Sequence, residues 1–206
     1  MVRKSVLATL AVIAIVLGGV VVSTPAGAVV DSAVVVPSPN PSTSYNRLSS
    51  VSCVSVSFCV ATGYQNSGSL DLTLVEHWDG ASWSTVTSPS PGTNSNVLSS
   101  VSCVSVSFCV ATGNQYSGSA NLTLVEQWDG TSWSTVTSPN PGTTANSLGS
   151  VSCVSVSFCV ATGFQDSGST NQPLFKTLVV SLTGPVPPTT TTTTVAPEPV
   201  IPAFTG

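Results

Sequence analysis

The chain has 206 residues, of which only 6% are charged, and its formal net charge is −4. Beyond the N-terminal pair Arg3 and Lys4, the only basic residues are Arg47 and Lys176. This distribution argues against nucleic-acid binding, which needs a clustered basic surface to neutralise phosphates. A composition rich in Ser, Thr and Val suits an extracellular β protein instead.

The N-terminus has the layout of a secretory signal peptide. Arg3 and Lys4 precede an apolar run over residues 6–22, and the small residues Ala26, Gly27 and Ala28 follow it. This pattern predicts a signal peptide over residues 1–28 that is removed on export. An uncleaved membrane anchor is the alternative, because the apolar run is nearly long enough to span a bilayer. Both interpretations place the rest of the chain outside the cytoplasm.

The chain repeats itself with a period of 50 residues. Residues 48–97 are followed by closely similar copies at 98–147 and 148–184, and the last copy loses the WDG and SW positions. In the first copy, short Val- and Thr-rich runs predict strands near residues 50–53, 58–62, 72–78 and 83–87. Asp79-Gly80 predicts a hairpin turn, and Pro89 ends the last strand because proline cannot donate to a ladder.

Three four-stranded antiparallel units predict an all-β fold arranged as a small or partial β-propeller. Residues 29–47 precede the first unit, and 32–41 within them resemble the strand that the last unit lacks, so we expect this segment to complete that unit and close the ring. Because propellers usually need at least about four blades, a β-trefoil-like fold is an alternative. A homodimer that forms a six-bladed ring is a further one.

The repeated segments LSSVSCVSVSFCVATG and LTLVEHWDGASWSTVTSPSPG resemble the repeats of secreted actinobacterial proteins with kelch-like or BNR-like propellers. The resemblance covers residues 48–169. The segment from Asp79 to Trp83 also resembles a shortened Asp-box, the turn motif of sialidase-type propellers. In those proteins the motif is structural, so the resemblance implies a fold and no activity.

Each unit holds one pair of cysteines with five residues between them: Cys53 and Cys59, Cys103 and Cys109, Cys153 and Cys159. Repeat symmetry and export to an oxidising space predict three local disulfides, each across a hairpin. Zinc binding is the alternative, but the cysteine spacing is too wide and His77 is the only histidine. We therefore expect no metal and no cofactor.

The positions that differ between units predict where a ligand binds. They cluster after the second strand of each unit, in a loop on a rigid β scaffold, where recognition commonly occurs. The candidate binding residues are Tyr64, Asn66, Asp71, Asn114, Tyr116, Asn121, Phe164, Asp166 and Asn171.

No residues stand out as catalytic. His77 lies in a predicted strand, and no nucleophile elbow is present. Glu76 and Glu126 could form a carboxylate pair across neighbouring units, as a glycosidase needs, but repeat equivalence favours a structural role. The tryptophans beside the turns suit packing between units or stacking on sugars: they are Trp78, Trp83, Trp128 and Trp133.

From Pro185 the composition changes to a Pro/Thr-rich stalk over residues 185–206, with six consecutive threonines. The final residues 202–206 resemble a sortase signal, although proline replaces the leading leucine. Together these features predict a secreted or cell-surface, non-catalytic module that binds a glycan or a cell-wall or surface protein. Membrane contact would come only from the signal segment or from a further C-terminal anchor. A polysaccharide-active hydrolase or lyase and a structural envelope spacer are the alternatives.

Overall fold

The computed structural model describes residues 32–168 and 172–184. The predicted signal peptide, the stalk and Asn171 lie outside these residues. The described chain is all-β, as predicted, and contains no helix. None of its elements is therefore an apolar helix able to cross a membrane.

Eleven strands lie in the described residues, and consecutive strands within each unit pair antiparallel. Unit 1 contains β1 (Tyr45–Ser55), β2 (Phe58–Asn66), β3 (Asp71–Trp78) and β4 (Trp83–Val86). Unit 2 contains β5 (Asn96–Ser105), β6 (Phe108–Tyr116), β7 (Asn121–Trp128) and β8 (Trp133–Thr135). Unit 3 contains β9 (Ala145–Ser155), β10 (Phe158–Asp166) and β11 (Phe175–Thr183). Unit 1 is thus a separate four-stranded sheet, as predicted. The four strands of unit 2 and the three of unit 3 belong to one larger sheet, joined by a parallel bridge between Asn121 and Ala145. Unit 3 has three strands because it lacks the WDG and SW residues.

The first hairpin of each unit carries its disulfide, which confirms the predicted pairing. Cys53 bonds Cys59, Cys103 bonds Cys109, and Cys153 bonds Cys159. The two cysteines of each pair lie directly opposite each other in the ladder. No cysteine is free, so none is left to bind a metal.

The three units stack in chain order through their faces. Because successive side chains of a strand point to opposite faces, the consecutive residues Val110 and Ala111 belong to different cores. We call the face of unit 2 that carries Leu98, Val101 and Ala111 its leading face, and the face with Phe108, Val110 and Val125 its trailing face. The same names apply to the equivalent residues of units 1 and 3.

Two hydrophobic cores hold the stack together. In the first, Phe58, Val60 and Val75 from the trailing face of unit 1 pack against the leading face of unit 2. In the second, the trailing face of unit 2 packs against the leading face of unit 3. Unit 2 is therefore buried on both faces, and its inner strands β6 and β7 bury consecutive residues, from Cys109 to Gly113 and from Thr123 to Glu126.

Within the described residues the sheets do not close into a ring. The strand β1 is an edge of the four-stranded sheet, and β11 is an edge of the larger sheet that contains units 2 and 3. Residues 32–42 contain no strand, so the expected closing strand is not formed in this single chain. The segment was expected to extend the edge of unit 3, but unit 3 lies at the other end of the stack from unit 1. In addition, Pro37, Pro39 and Pro41 remove amide donors from the segment.

Candidate binding edge

The hairpins that join the second and third strands of the units carry the candidate binding residues. In unit 1, Asn66 and Asp71 face each other across the hairpin, and Asn66 Nδ2 donates to Asp71 Oδ1 at 2.8 Å. In unit 2, Tyr116 and Asn121 hold the equivalent positions. Although the scaffold is the same, the side chains at these positions differ from unit to unit.

The linkers between units bring these hairpins to one edge. In the first linker, Asn94 O accepts from the Asp71 amide at 2.9 Å, while Ser95 O accepts from the Tyr116 amide at 2.8 Å. In the second linker, Thr144 O accepts from the Asn121 amide, and the Thr144 amide donates to Asp166 O at 3.0 Å. The three hairpins therefore form one continuous row, which we call the hairpin edge.

Aromatic side chains lie at both ends of the hairpin edge. In unit 1, the rings of Tyr45 and Tyr64 are 5.5 Å apart, and their hydroxyls raise the pKa of the neighbouring Arg47 guanidinium above its usual value. In unit 3, Phe164 and Phe175 meet edge to face with ring centroids 5.4 Å apart. A row with exposed aromatic faces suits amphipathic ligands such as sugars.

The middle of the row carries Tyr116, whose hydroxyl donates to Gly118 O at 3.0 Å and so holds the ring over its own turn. A groove of about 490 Å³ lies beside the hairpin of unit 1, lined by residues that include Ser42, Gln65 and Leu72. The structure thus places a half-exposed tyrosine and an open groove on the same edge.

Two candidate residues have structural contacts of their own. Asp166 is buried, and its Oδ1 accepts from the amides of Gly168 and Leu174. The Gly168 amide is the main cause that lowers the pKa of this carboxyl. Asn114 Oδ1 faces the Ser147 hydroxyl of the next unit at 3.5 Å. These residues shape the hairpin edge, while Tyr64, Tyr116 and Phe164 present rings there.

Sequence reasoning missed a buried asparagine that builds this edge. Asn96 Oδ1 accepts from the Gly92 amide at 2.6 Å, and its Nδ2 donates to Asp71 O at 2.9 Å and to Gly92 O at 3.3 Å. Asn146 makes the equivalent three bonds in the second linker. The signal was available, because asparagine recurs with the 50-residue period at 46, 96 and 146.

The two glutamates do not form an accessible carboxylate pair. Glu126 lies on the leading face of unit 2 and Glu76 on that of unit 1, and both are completely buried. In each, neither carboxylate oxygen has a hydrogen-bond partner among the described residues. Unit 3 has Val180 at this position. Ser138, the equivalent of Ser88, has a buried hydroxyl for which the described part of the chain supplies no hydrogen-bond partner.

Burial raises the pKa of Glu126 to about 8, and the neighbouring Ser88 hydroxyl opposes this shift. Burial also raises the pKa of Glu76, against the effect of Ser38. A carboxyl group whose pKa is higher in the folded than in the unfolded state stabilises the fold at low pH, and this contribution is lost as the pH rises. We therefore expect the free energy of unfolding to fall as the pH rises from 4.5 and to reach its low plateau above about 8.

Glu126→Gln should remove most of this pH dependence and stabilise the protein by ~3 kcal/mol at alkaline pH. Glu126→Val, which copies unit 3, should do the same without leaving a buried amide. The measurement is urea unfolding followed by tryptophan fluorescence across the pH range. A wild-type stability that stays constant through this range would contradict the assignment, and a small remaining slope in the variants is expected from Glu76.

The tryptophans and His77 make structural contacts. The ring centroids of Trp78 and Trp83 are 5.7 Å apart, and those of Trp128 and Trp133 are 5.8 Å apart. Trp133 is buried in the core between units 1 and 2. His77 packs its ring 4.5 Å from Phe58. The predicted packing role between units therefore holds for the tryptophans of unit 2.

The Asp79 and Asp129 turns have the same geometry in both units. The Oδ1 atom of Asp129 accepts from the amides of Thr131 and Ser132, both at 2.8 Å. These amides lower the pKa of the Asp129 carboxyl, with Ser132 the larger cause. The aspartates thus fold their own turns, as predicted from their positions.

Among the residues that the structure describes, no three metal-ligating side chains come together. A scan against protein-family models and a search of curated proteins returned no match.

Proposed function

We propose that this protein is a non-catalytic extracellular recognition module that binds a glycan or a surface protein along its hairpin edge. One observation carries the proposal. The residues that differ between otherwise nearly identical units are the ones that the linkers bring together into a single row. A constant scaffold that presents variable side chains in a row is how loops on β scaffolds commonly achieve recognition.

The units are proposed to be blades of the propeller type that the repeat resemblance implies. Units 1 and 2 each have four antiparallel strands, and the broad face of each packs on the next unit, as in propellers. This arrangement favours a partial propeller over a β-trefoil-like fold.

Export is part of the same proposal. Three disulfides suit an oxidising compartment, because thiols stay reduced in the cytosol. The predicted signal peptide and Pro/Thr-rich stalk would then place the module outside the cell, held away from its surface.

A glycan array and pull-down with cell-wall fractions test the binding function. If a ligand is found, Tyr116→Ala should weaken binding by at least ~10-fold, because aromatic anchors dominate recognition surfaces. Val106→Ala is the matched control: it lies in the same unit, on the exposed turn between β5 and β6, away from the hairpin edge. Both variants should unfold at the same urea concentration as the wild type.

Two outcomes would reject the proposal. If the protein binds no glycan and no cell-wall fraction, the result would favour the envelope-spacer alternative. Cleavage of a polysaccharide that is lost in Glu126→Gln would instead favour the hydrolase or lyase.

A further inference from the structure

Each end of the stack exposes apolar residues whose equivalents are buried in the interior, although Ala61, Leu74 and Glu76 on the leading face of unit 1 are themselves buried. On the leading face, Val51 of unit 1 is 59% exposed, whereas its equivalent Val101 is 5% exposed. On the trailing face, Val179 of unit 3 is 66% exposed, whereas its equivalent Val75 is 1% exposed. Exposed apolar surface of this kind commonly marks an interaction site.

The exposed residues of the two ends are complementary, because the chain already joins equivalent residues twice. A trailing Phe-Val-Val set meets a leading Leu-Val set in both cores. The trailing set of unit 3 is Phe158, Val160 and Val179, and the leading set of unit 1 includes Leu48 and Val51. Each end thus carries one half of an interface whose two halves fit together elsewhere in the same molecule.

Hydrogen bonds across the interfaces repeat as well. Ser50 Oγ accepts from the Val101 amide at 3.2 Å, and Ser52 Oγ accepts from the Cys103 amide at 3.0 Å. Units 2 and 3 are joined in the same way, through Ser100 and Ser102.

At the ends of the stack these partners are missing. Unit 3 presents Ser150 and Ser152, for which no following unit supplies an amide within the described chain. Unit 1 presents the equivalent amides of Val51 and Cys53, and no unit before it among the described residues supplies a serine to them. Asn46 likewise lacks a partner from another unit: among the described residues it bonds Ser42, while Asn96 also bonds the preceding unit.

We propose that a second copy of this chain covers both faces, with unit 3 of each copy docked on unit 1 of the other. Two copies then form a closed ring of six units with twofold symmetry. The number of units in the ring follows from geometry, because propellers have about 4 to 8 blades. Each copy contributes three units, and six is the only multiple of three in that range. Closure leaves no free complementary face, so the assembly stops at two copies.

The ring also gives the N-terminal segment a partner. The strand β11 is an edge, with no outer neighbour such as β4 or β8 among the described residues. In unit 1, Val86 lies opposite Val75. By repeat equivalence, residues 33–36 of one copy would add the fourth strand to β11 of the other, with Val36 opposite Val179. Adding a strand in this way protects an edge and joins the two chains.

The test is the mass of the protein in solution, from light scattering or sedimentation equilibrium. The wild type should have twice the mass of one chain. Val51→Glu should be a monomer with unchanged circular dichroism, because Val51 is already exposed in the single chain. The matched control Val56→Glu should stay dimeric, since Val56 lies on a turn where all three units expose their valine.

A mixing experiment tests the head-to-tail geometry. Val179→Glu alone should also be monomeric. An equimolar mixture of the Val51→Glu and Val179→Glu chains should form a one-to-one dimer, because one intact pair of faces remains between them. Val35→Pro should weaken the wild-type dimer without unfolding the chain, since proline removes a ladder donor from the added strand.

A monomeric wild type at the highest soluble concentration would overturn the proposal. A dimer that survives Val51→Glu, or two variants that fail to pair on mixing, would overturn it too.

Discussion

Gly113→Ala is expected to prevent folding or to destabilise the protein by at least ~3 kcal/mol. A Cβ atom at Gly113 would lie 1.8 Å from the Val97 carbonyl oxygen, far inside van der Waals contact. The obstacle is backbone, so no side-chain rotation can relieve it. The strand β5 crosses this glycine closely because the ladder shifts register between Leu98 and Ser100.

The control is Gly149→Ala in unit 3, at a position with nothing within 4 Å of a new Cβ atom. Units 1 and 2 have serine at this position, so a side chain is compatible with the strand. Urea unfolding monitored by tryptophan fluorescence should show a large loss for Gly113→Ala and little change for Gly149→Ala. Equal stabilities of the two variants would mean that the strand crossing is not as close as the structure shows.

Asn96→Asp is expected to have the second largest effect, a loss of ~2–4 kcal/mol at neutral pH. The substitution keeps the shape and the bond from the Gly92 amide. It turns the Nδ2 donor into a carboxylate oxygen that faces two carbonyl oxygens, Asp71 O and Gly92 O. Because Asn96 is fully buried, water cannot stabilise the new charge, and part of the loss should be recovered when acid protonates the carboxyl.

Asn46→Asp is the matched control, because Asn46 holds the equivalent position in unit 1 but is only half-buried. Within the described ranges its Nδ2 donates to Ser42 O and to no other unit, so the loss should be ~1 kcal/mol. Thermal and urea unfolding of the two variants provide the comparison. If Asn46→Asp lowers the free energy of unfolding as much as Asn96→Asp does, the hydrogen bond from Asn96 to Asp71 O in the preceding unit does not explain the effect of Asn96→Asp.

The local structure of each unit could be predicted from the sequence because its signals are short-range. Cys53 and Cys59 lie close in sequence and recur in every copy, so the pairing follows from repeat symmetry. Asp79-Gly80 specifies its own turn through the aspartate side chain. The hairpin edge was predicted in part, since residues that vary between copies of a constant scaffold mark its exposed loops.

The packing of the units could not be predicted in the same way, because it depends on which face each strand turns to its neighbour. Glu126 follows an apolar run like any half-exposed strand residue, and nothing local shows that both faces of unit 2 are covered. Asn96 precedes β5 with no local partner, since its bonds reach Asp71 in another unit. The sequence predicts the closing strand within one chain because it shows that unit 3 lacks a strand. It does not show that unit 3 and the start of unit 1 lie at opposite ends of the stack.

The central claim is that the strands of each fifty-residue unit fold as a small antiparallel set held by the unit's own disulfide. Peptide mapping by mass spectrometry after digestion without reduction tests this claim directly. We expect three linked pairs, Cys53 with Cys59, Cys103 with Cys109, and Cys153 with Cys159. Free thiols, or a bridge between cysteines of different units, would contradict the account.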